Sequence, residues 1–279
     1  MLAPLLITLR EGLEAALILG IVMAYLARTG NGHRSLQIWT GAGVAILVSM
    51  IVAVGIFFTV AELGGTAEQI FEGSVMLLAV AMLTYMVVWM RHQSSGIKAG
   101  LHEKVETALR TGSGFSLALM AFIVVVREGI ETALFFFAST RSSTPTESIA
   151  GGLLGLALAA VLGYSIYRGS HRLNLRTFFN VTGVLLIVFA AGMLAHGLHE
   201  YQEAGVLPGF VGHLWNTGWL LDDESGVGGF LAGLVGYSSD PSLAEVLAYL
   251  GYLGVSLTYF FRSAKRPRGI TQPDARRVA

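Results

Sequence analysis

The chain has 279 residues, of which 54% are hydrophobic, 13% are charged and none is cysteine. Soluble domains usually carry about 25% charged residues, so this composition favours a membrane protein and excludes an ordinary soluble domain. The lack of cysteine excludes disulfides and thiolate metal sites, and a formal net charge of zero gives no indication of a nucleic-acid partner.

Apolar runs of about 20 residues, the length that a bilayer helix needs, recur along the chain. They predict an all-α polytopic protein whose seven transmembrane helices cover residues 2–27, 37–60, 70–90, 115–138, 148–167, 178–199 and 243–261. No connector is long enough for a soluble domain, so residues 1–279 are predicted to form one domain. The first run contains charges and exceeds a signal-peptide core in length, which indicates a retained span.

Two connectors carry features of their own. In residues 91–114, apolar residues recur every four positions, which predicts a short helix that lies on the membrane surface or packs on other loops. Residues 200–242 are rich in glycine and acids, and their short apolar stretches are predicted to touch the membrane surface without spanning it.

Basic residues are distributed unevenly between the two sides of the predicted helices. Alternate connectors and the tail hold 15 lysines and arginines, whereas the opposite side holds Arg141 alone. Positive charge marks the cytoplasmic face, so the N-terminus is predicted outside and the C-terminus inside, with residues 262–279 as a basic cytoplasmic tail. The outer connectors are acidic, either because they are solvated or because they concentrate cations.

A charged motif occurs twice within these apolar segments. "REGLE" at residues 10–14 and "REGIE" at 127–131 lie in the first and fourth predicted helices. Because the second copy lies in the fourth helix, three helices after the first, the two copies cross the membrane in opposite directions. This spacing predicts an inverted repeat, with residues 1–91 as one half and 115–200 as the other, and a binding site near the midplane.

The charges in the two motifs suit a bound cation. Glu11 and Glu14 share a helix face, and Arg10 can pair with Glu14, leaving the other carboxylate for a ligand. Each charge costs roughly 2.5–3.5 kcal/mol at the centre of a membrane helix, so these side chains must face each other or water. If all are ionised, four glutamates and two arginines sum to −2, which calls for a cation. Carboxylate oxygens suit hard cations, iron(III) most strongly, while magnesium, calcium and manganese stay open.

Weaker candidates lie toward the predicted outer side. Glu72 either passes a cation inward or is an ordinary interfacial glutamate. His196, His199 and Glu200 have a helical spacing that suits either a metal site or polar packing at a helix end, and Glu203 follows in the same run.

The two motifs resemble those of the oxidase-dependent iron transporters, the high-affinity ferric iron permeases, and are most similar to the bacterial branch. The resemblance extends over "FEG" at 71–73, "WMR" at 89–91, "EAG" at 203–205 and "GYSSDPSLAEVLAY" at 236–249. It implies iron(III) uptake across the plasma membrane with an extracytoplasmic ferroxidase or iron-delivery partner. It also implies a set of iron-carrying residues and their charge partners, namely Glu11, Glu14, Glu128 and Glu131, with Glu72 as a further family glutamate and Arg10 and Arg127 as ordering charges.

Iron is expected as the transported substrate rather than as a bound cofactor. The alternative is a proton-coupled carrier of divalent iron, lead or manganese, since the wider superfamily includes a lead-uptake branch. An enzyme is disfavoured because the chain lacks the H-E-x-x-H pattern, and the chain has no phosphate-binding G-x-x-x-x-G-K-[ST] motif. Whether copies of the chain form a homo-oligomer is left open.

Overall fold

The structure, a computed structural model, describes residues 2–93, 114–139, 145–167, 175–208, 214–223 and 226–263. These residues form eight α-helices and a short 3₁₀ turn at Gly32–Arg34. In chain order the helices are α1 (Leu2–Arg28), α2 (Ser35–Glu62), α3 (Thr66–Gln93), α4 (Gly114–Ser139), α5 (Pro145–Tyr167), α6 (Leu175–Glu203), α7 (Gly226–Val235) and α8 (Leu243–Ser263).

Each of the seven predicted segments coincides with one of the long helices, and their bounds differ by at most four residues. Helix α7, which was not predicted as a helix, lies in the glycine-rich connector and is too short to span a bilayer. The apolar repeat predicted for the 91–114 connector, and the tail beyond residue 263, lie outside the described residues.

Five of the long helices, α2, α3, α5, α6 and α8, are apolar enough over their described parts to cross a membrane. The other two, α1 and α4, have the same length but carry the three charges of their motifs. Large apolar side chains of the peripheral helices are exposed, including Ile51 of α2 (71%), Val161 of α5 (62%) and Val255 of α8 (72%). Such an exposed apolar surface fits contact with lipid.

Helix α1 packs closely against α5. Gly12 faces the Cβ of Ala159, and Ala16 faces Gly163 one turn further along both helices. Residue numbers therefore increase together along the contact, and the two helices run parallel. The small residues allow the helices to approach closely, as is common within membranes.

Helix α2 packs against α4 in the same way. Gly41 lies against the backbone carbonyl of Ala118, and Ser49 lies against Gly129, so these helices are also parallel. In two related halves, α1 corresponds to α4, α2 to α5 and α3 to α6. Under this correspondence, the α1–α5 contact is equivalent to the α4–α2 contact. The packing thus has the pattern that two related halves would produce.

Helices α3 and α6 cross at a pair of glycines. A side chain on Gly73 would meet the carbonyl oxygen of Gly197 at 3.0 Å, and one on Gly197 would meet the Gly73 oxygen at 3.4 Å. Gln69, which precedes Gly73 in α3, donates a hydrogen bond at 3.0 Å to Glu203, which follows Gly197 in α6. The two helices are therefore antiparallel. Helix α8 packs antiparallel to α6, because Gly183 lies against Phe260 whereas His199, further along α6, contacts Glu245.

Candidate metal centre

Helices α1 and α4 pack against each other and bring the two charged motifs together. Arg10, Glu11, Glu14, Glu128 and Glu131 are all buried, with 1–8% of each residue exposed. Charges buried inside a protein must be paired with other charges or with a bound ion, because leaving water costs each one several kcal/mol.

The first motif is organised around Arg10. Its guanidinium contacts an Oε1 atom of Glu11 at 3.1 Å and of Glu14 at 3.1 Å. It also donates a hydrogen bond to the sulfur of Met86 on α3 at 3.3 Å. The predicted pair of Arg10 with Glu14 is present, but Arg10 also contacts Glu11, so its pairing is not confined to one glutamate.

The second motif repeats the pairing in a more open setting. Arg127 contacts the Oε1 atoms of Glu128 at 3.2 Å and Glu131 at 3.3 Å. Its side chain is 47% exposed, whereas that of Arg10 is 1% exposed. The Arg127 guanidinium lies over the Trp89 ring of α3, 5.5 Å from its centroid, a cation–π arrangement.

Three of the four motif glutamates converge. One carboxylate oxygen from each of Glu11, Glu128 and Glu131 lies within 4.8 Å of the others, an arrangement suited to a metal ion. The Oε2 atoms of these three residues are buried and accept no hydrogen bond within the described part of the chain. We call these three residues the carboxylate triad; Glu14 is outside it.

The triad has the features of a cation site. Buried acceptors in proteins are almost always satisfied by a partner, and both arginines contact Oε1 atoms, which leaves the Oε2 atoms of the triad for an ion. Carboxylate oxygens are ligands for hard and borderline cations. The six motif residues sum to −2 when all are ionised, a charge that a bound cation would offset.

The central glycine of each motif permits the close packing around the triad. A side chain on Gly12 would meet the Cβ of Ala159 at 2.8 Å, and one on Gly129 would meet the Cβ of Ser49 at 2.6 Å. Both neighbours are small side chains on the partner helix. The glycine therefore seats each motif helix against α5 or α2 and leaves the carboxylates on the opposite side.

Apolar clusters lie on both sides of the triad along the motif helices. Ile7, four residues before Glu11, packs in one cluster with Phe135, four residues after Glu131. On the other side, Val22 of α1 packs with Ala121 of α4. The triad is thus enclosed between two apolar layers that the same two helices build.

Glu72 lies in α3, apart from the triad. It is buried, with 2% exposed, and the neighbouring Phe71 contacts the Phe137 ring of α4 at 6.5 Å between centroids. Phe137 follows Glu131 by six residues, about 9 Å of helix rise, so the Phe71 contact beside Glu72 lies toward the far end of α4 from the triad.

The two predicted histidines, His196 and His199, have different hydrogen-bond partners. His199 contacts Glu245 through Nδ1 at 3.0 Å and Glu203 through Nε2 at 3.2 Å, so a carboxylate occupies each ring nitrogen. Glu245, on α8, also accepts a hydrogen bond from Ser242 at 2.9 Å. Glu245 was not among the predicted site residues, because only the packing of α8 on α6 brings it to His199.

His196 has different surroundings from His199. Its Nδ1 lies 3.3 Å from the carbonyl oxygen of Gly192, and the ring lines a cavity between α3, α4, α6 and α7. Glu200 is half-buried on α6 and is not grouped with the triad. Of the four residues predicted as weaker candidates, His199 and Glu203 therefore join a polar contact that reaches α8, whereas His196 lies apart from it.

These observations define a class of protein: a multi-pass α-helical membrane protein with a buried carboxylate cluster between two charged helices. The chain belongs to the iron permease FTR1 family, which matches residues 1–263. This membership confirms the resemblance found from the motifs, and it makes the chain a member of a transporter family rather than an enzyme, located in the inner membrane.

Individual relatives are similar in sequence over nearly the whole chain. It is 35% identical over 280 residues to the ferrous iron permease EfeU of Yersinia pestis, covering 100% of this chain and 99% of the relative. It is 37% identical over 264 residues to the ferrous iron permease EfeU of Escherichia coli O6:H1, covering 93% and 95%. No solved structure matches the chain significantly.

Proposed function

We propose that this protein imports iron through the carboxylate triad, with the ferrous ion as the transported species. The observation that carries the proposal is the convergence of Glu11, Glu128 and Glu131, whose buried Oε2 atoms accept no hydrogen bond from the described residues. Two helices of opposite halves supply these oxygens, so relative movement of the halves would form or open the site.

The charge of the cluster favours a divalent ion. Four glutamates and two arginines sum to −2, so a divalent ion brings the cluster to zero, whereas a trivalent ion leaves a net positive charge among apolar layers. An uncompensated charge in such surroundings is costly. The names of the relatives, which refer to ferrous iron, agree with this choice.

Iron(III), the ion implied by the family resemblance, is the second candidate. The observation in its favour is the ligand set, since three carboxylates and no sulfur or nitrogen suit a hard trivalent ion. Proton-coupled transport of another divalent ion, such as manganese or lead, uses the same site and is distinguished by competition with iron.

We further propose seven membrane-spanning helices, with the N-terminus outside and the C-terminus inside, arranged as two inverted halves and a final helix. The parallel α1–α5 and α2–α4 contacts and the glycine crossing of α3 and α6 support the relation between the halves. The 15 basic residues on one side support the orientation.

An extracytoplasmic ferroxidase or iron-delivery protein is proposed as the partner. Glu203 and Asp222 are exposed at the end of the molecule that this orientation places outside, where acidic side chains raise the local cation concentration. A delivery partner is needed most if the ion is iron(III), because the free ion hydrolyses.

The test is iron uptake into proteoliposomes that contain the purified protein, with iron(II) under anaerobic conditions compared with weakly chelated iron(III). Glu11→Gln and Glu131→Gln remove one charge each from the triad, and Glu62→Gln, on an exposed residue at the end of α2, is the matched control. Iron(II) uptake lost in the triad variants alone supports the proposal. Uptake of iron(III) alone favours the second candidate, and uptake unaffected by the triad variants overturns the assignment of the site.

A further inference from the structure

One charged residue of the site reaches the surface of the molecule. Five of the six charged motif residues are 1–8% exposed, whereas the Arg127 side chain is 47% exposed. Arg127 lies near the middle of α4, about 20 Å from the end at Gly114 and about 18 Å from the end at Ser139. At that depth it cannot place its charge at the membrane surface, as arginines near helix ends do.

The exposed part of Arg127 is unsuited to contact with lipid. A charge in the hydrocarbon core is unfavourable, and charged residues of membrane helices face water-filled space or other polar groups. Ile51, well inside α2, shows the contrast, since it is 71% exposed and apolar, as a lipid-facing residue is. The surface beside Arg127 is therefore expected to be open to water.

The two arginines lie on different sides of the triad. Because α1 and α4 are antiparallel, the first residue of each motif lies toward a different apolar layer. Arg10 lies toward the layer that contains Ile7, and Arg127 lies toward the layer that contains Val22. In the proposed orientation the Val22 layer is on the cytoplasmic side. The site is thus sealed on its outer side, at Arg10, and reaches the surface on its inner side, at Arg127.

The inner apolar layer blocks a straight path between α1 and α4. Val22, Leu26 and Ile38 are each 1% exposed, and they pack with Leu117 and Ala121 of α4. Among the described residues, α3 contributes none to this cluster. The layer therefore joins α1, α2 and α4, and leaves the side of α4 that faces α3 outside the seal.

Trp89 of α3 supports Arg127 on that side. The guanidinium lies over the indole ring, 5.5 Å from its centroid, and the ring face attracts the cation. Trp89 lies one turn before the end of α3 at Gln93, which the proposed orientation places toward the cytoplasm. The ring thus offers the guanidinium a resting place that does not depend on the carboxylates.

We propose that iron leaves the triad toward the cytoplasm between α3 and α4, and that Arg127, resting on Trp89, is the gate of this exit. The guanidinium contacts the Oε1 atoms of Glu128 and Glu131 at 3.2 and 3.3 Å, so it lies between two buried triad carboxylates and the surface. Its positive charge repels an ion that approaches this exit from the triad. Movement of the guanidinium off the carboxylates and onto the ring would open the way.

Arg127 also compensates the carboxylates after the ion has left. Buried carboxylates without a counter-charge are strongly unfavourable, and the return of the guanidinium to Glu128 and Glu131 restores their pairing. The inference rests on the proposed function, since it names the route by which the ion leaves the same site.

The exit is tested by cysteine labelling, because the chain contains no cysteine. Arg127→Cys is treated with a charged, membrane-impermeant thiol reagent in vesicles of both orientations, without added iron. We expect labelling from the side on which Gly32→Cys is labelled, and none from the side of Gly64→Cys. Ile51→Cys, on the lipid-facing surface of α2, is the matched control and should stay unlabelled from both sides.

Three labelling results would overturn the exit. They are no label on Arg127→Cys, label from the Gly64 side alone, and label on Ile51→Cys at the same rate, which would make the surface at Arg127 no more open than the lipid-facing one. Should Arg127→Cys not fold, Trp89→Cys keeps the arginine and carries the same expectation.

The gate is tested by the kinetics of iron(II) uptake into proteoliposomes. Trp89→Leu removes the ring, whereas Trp89→Phe keeps an aromatic face for the guanidinium. We expect Trp89→Leu to lower kcat several-fold with little change in KM, because the triad is intact, and Trp89→Phe to retain most of kcat. An equal fall in both variants, an unchanged kcat in Trp89→Leu, or an effect mainly on KM would overturn the role of Trp89.

The exit and the triad fail in different ways. The labelling requires no iron, so its result does not depend on transport. If Glu131→Gln loses uptake while Arg127→Cys stays unlabelled, the triad stands and the exit is wrong. If Glu131→Gln transports normally, the proposed function fails whatever the labelling shows.

Discussion

Arg10 and Arg127 hold the same position in the two motifs, yet the Arg10 side chain is 1% exposed and that of Arg127 is 47% exposed. Each contacts both glutamates of its own motif. Arg10 is additionally enclosed against Met86, whereas Arg127 lies over the open face of Trp89. The two halves of the site are therefore chemically matched but unequally buried.

This inequality predicts different costs for removing each arginine. Arg10→Gln leaves Glu11 and Glu14 buried without their counter-ion, and we expect a loss of about 3–5 kcal/mol in the free energy of unfolding. Arg127→Gln also leaves buried Glu128 and Glu131 without their counter-ion, but the loss should be smaller, because the half-exposed Arg127 guanidinium is itself less desolvated. Thermal unfolding in detergent measures both. Equal losses would show that burial of the guanidinium does not govern its contribution.

The glutamates at the fifth position of each motif should differ in iron binding. Glu131 belongs to the triad and Glu14 does not. We expect Glu131→Gln to raise the Kd for iron(II) about 100-fold, a loss of ~2.7 kcal/mol in binding free energy. Glu14→Gln should raise it less than about 10-fold. Equilibrium dialysis with radioactive iron compares the two variants. Similar losses in both would mean that all four carboxylates bind the ion together.

The contact between α2 and α4 can be tested with two glycines of one helix. A side chain on Gly41 would collide with the backbone carbonyl of Ala118, whereas one on Gly43 would meet no atom within 4 Å. Gly41→Ala should destabilise the protein by about 1–3 kcal/mol through overpacking. Gly43→Ala should be neutral or stabilising by up to about 1 kcal/mol, because alanine is the better helix former. Equal shifts of the unfolding midpoint in Gly41→Ala and Gly43→Ala would contradict the close packing of α2 on α4.

The proposed orientation can be tested without background labelling, because the chain contains no cysteine. Gly32 and Gly64 are exposed, precede and follow α2, and have no atom within 4 Å of an added side chain. In intact cells, a membrane-impermeant thiol reagent should label Gly64→Cys and should reach Gly32→Cys only after permeabilisation. The reverse pattern would invert the orientation, and labelling of both from outside would remove α2 from the set of spans.

Some features of this protein depend on local sequence alone. A helix within a bilayer needs about 20 apolar residues, so the long helices could be located without any contact between them. The doubled R-E-G-x-E pattern was sufficient to predict the family, which the match over residues 1–263 confirms. The excess of four glutamates over two arginines in the motifs also follows from the sequence and needs no coordinates.

The tertiary structure decided which of those charges face one another. Helical spacing places Glu11 and Glu14 on one face, but only the packing of α1 on α4 separates Glu14 from the triad and brings Glu11 to Glu128 and Glu131. Likewise, His199 is drawn to Glu245 by the docking of α8, while His196 faces the end of α7. These distinctions arise from contacts between residues distant in the chain, and hydropathy and periodicity report only on neighbours within one helix.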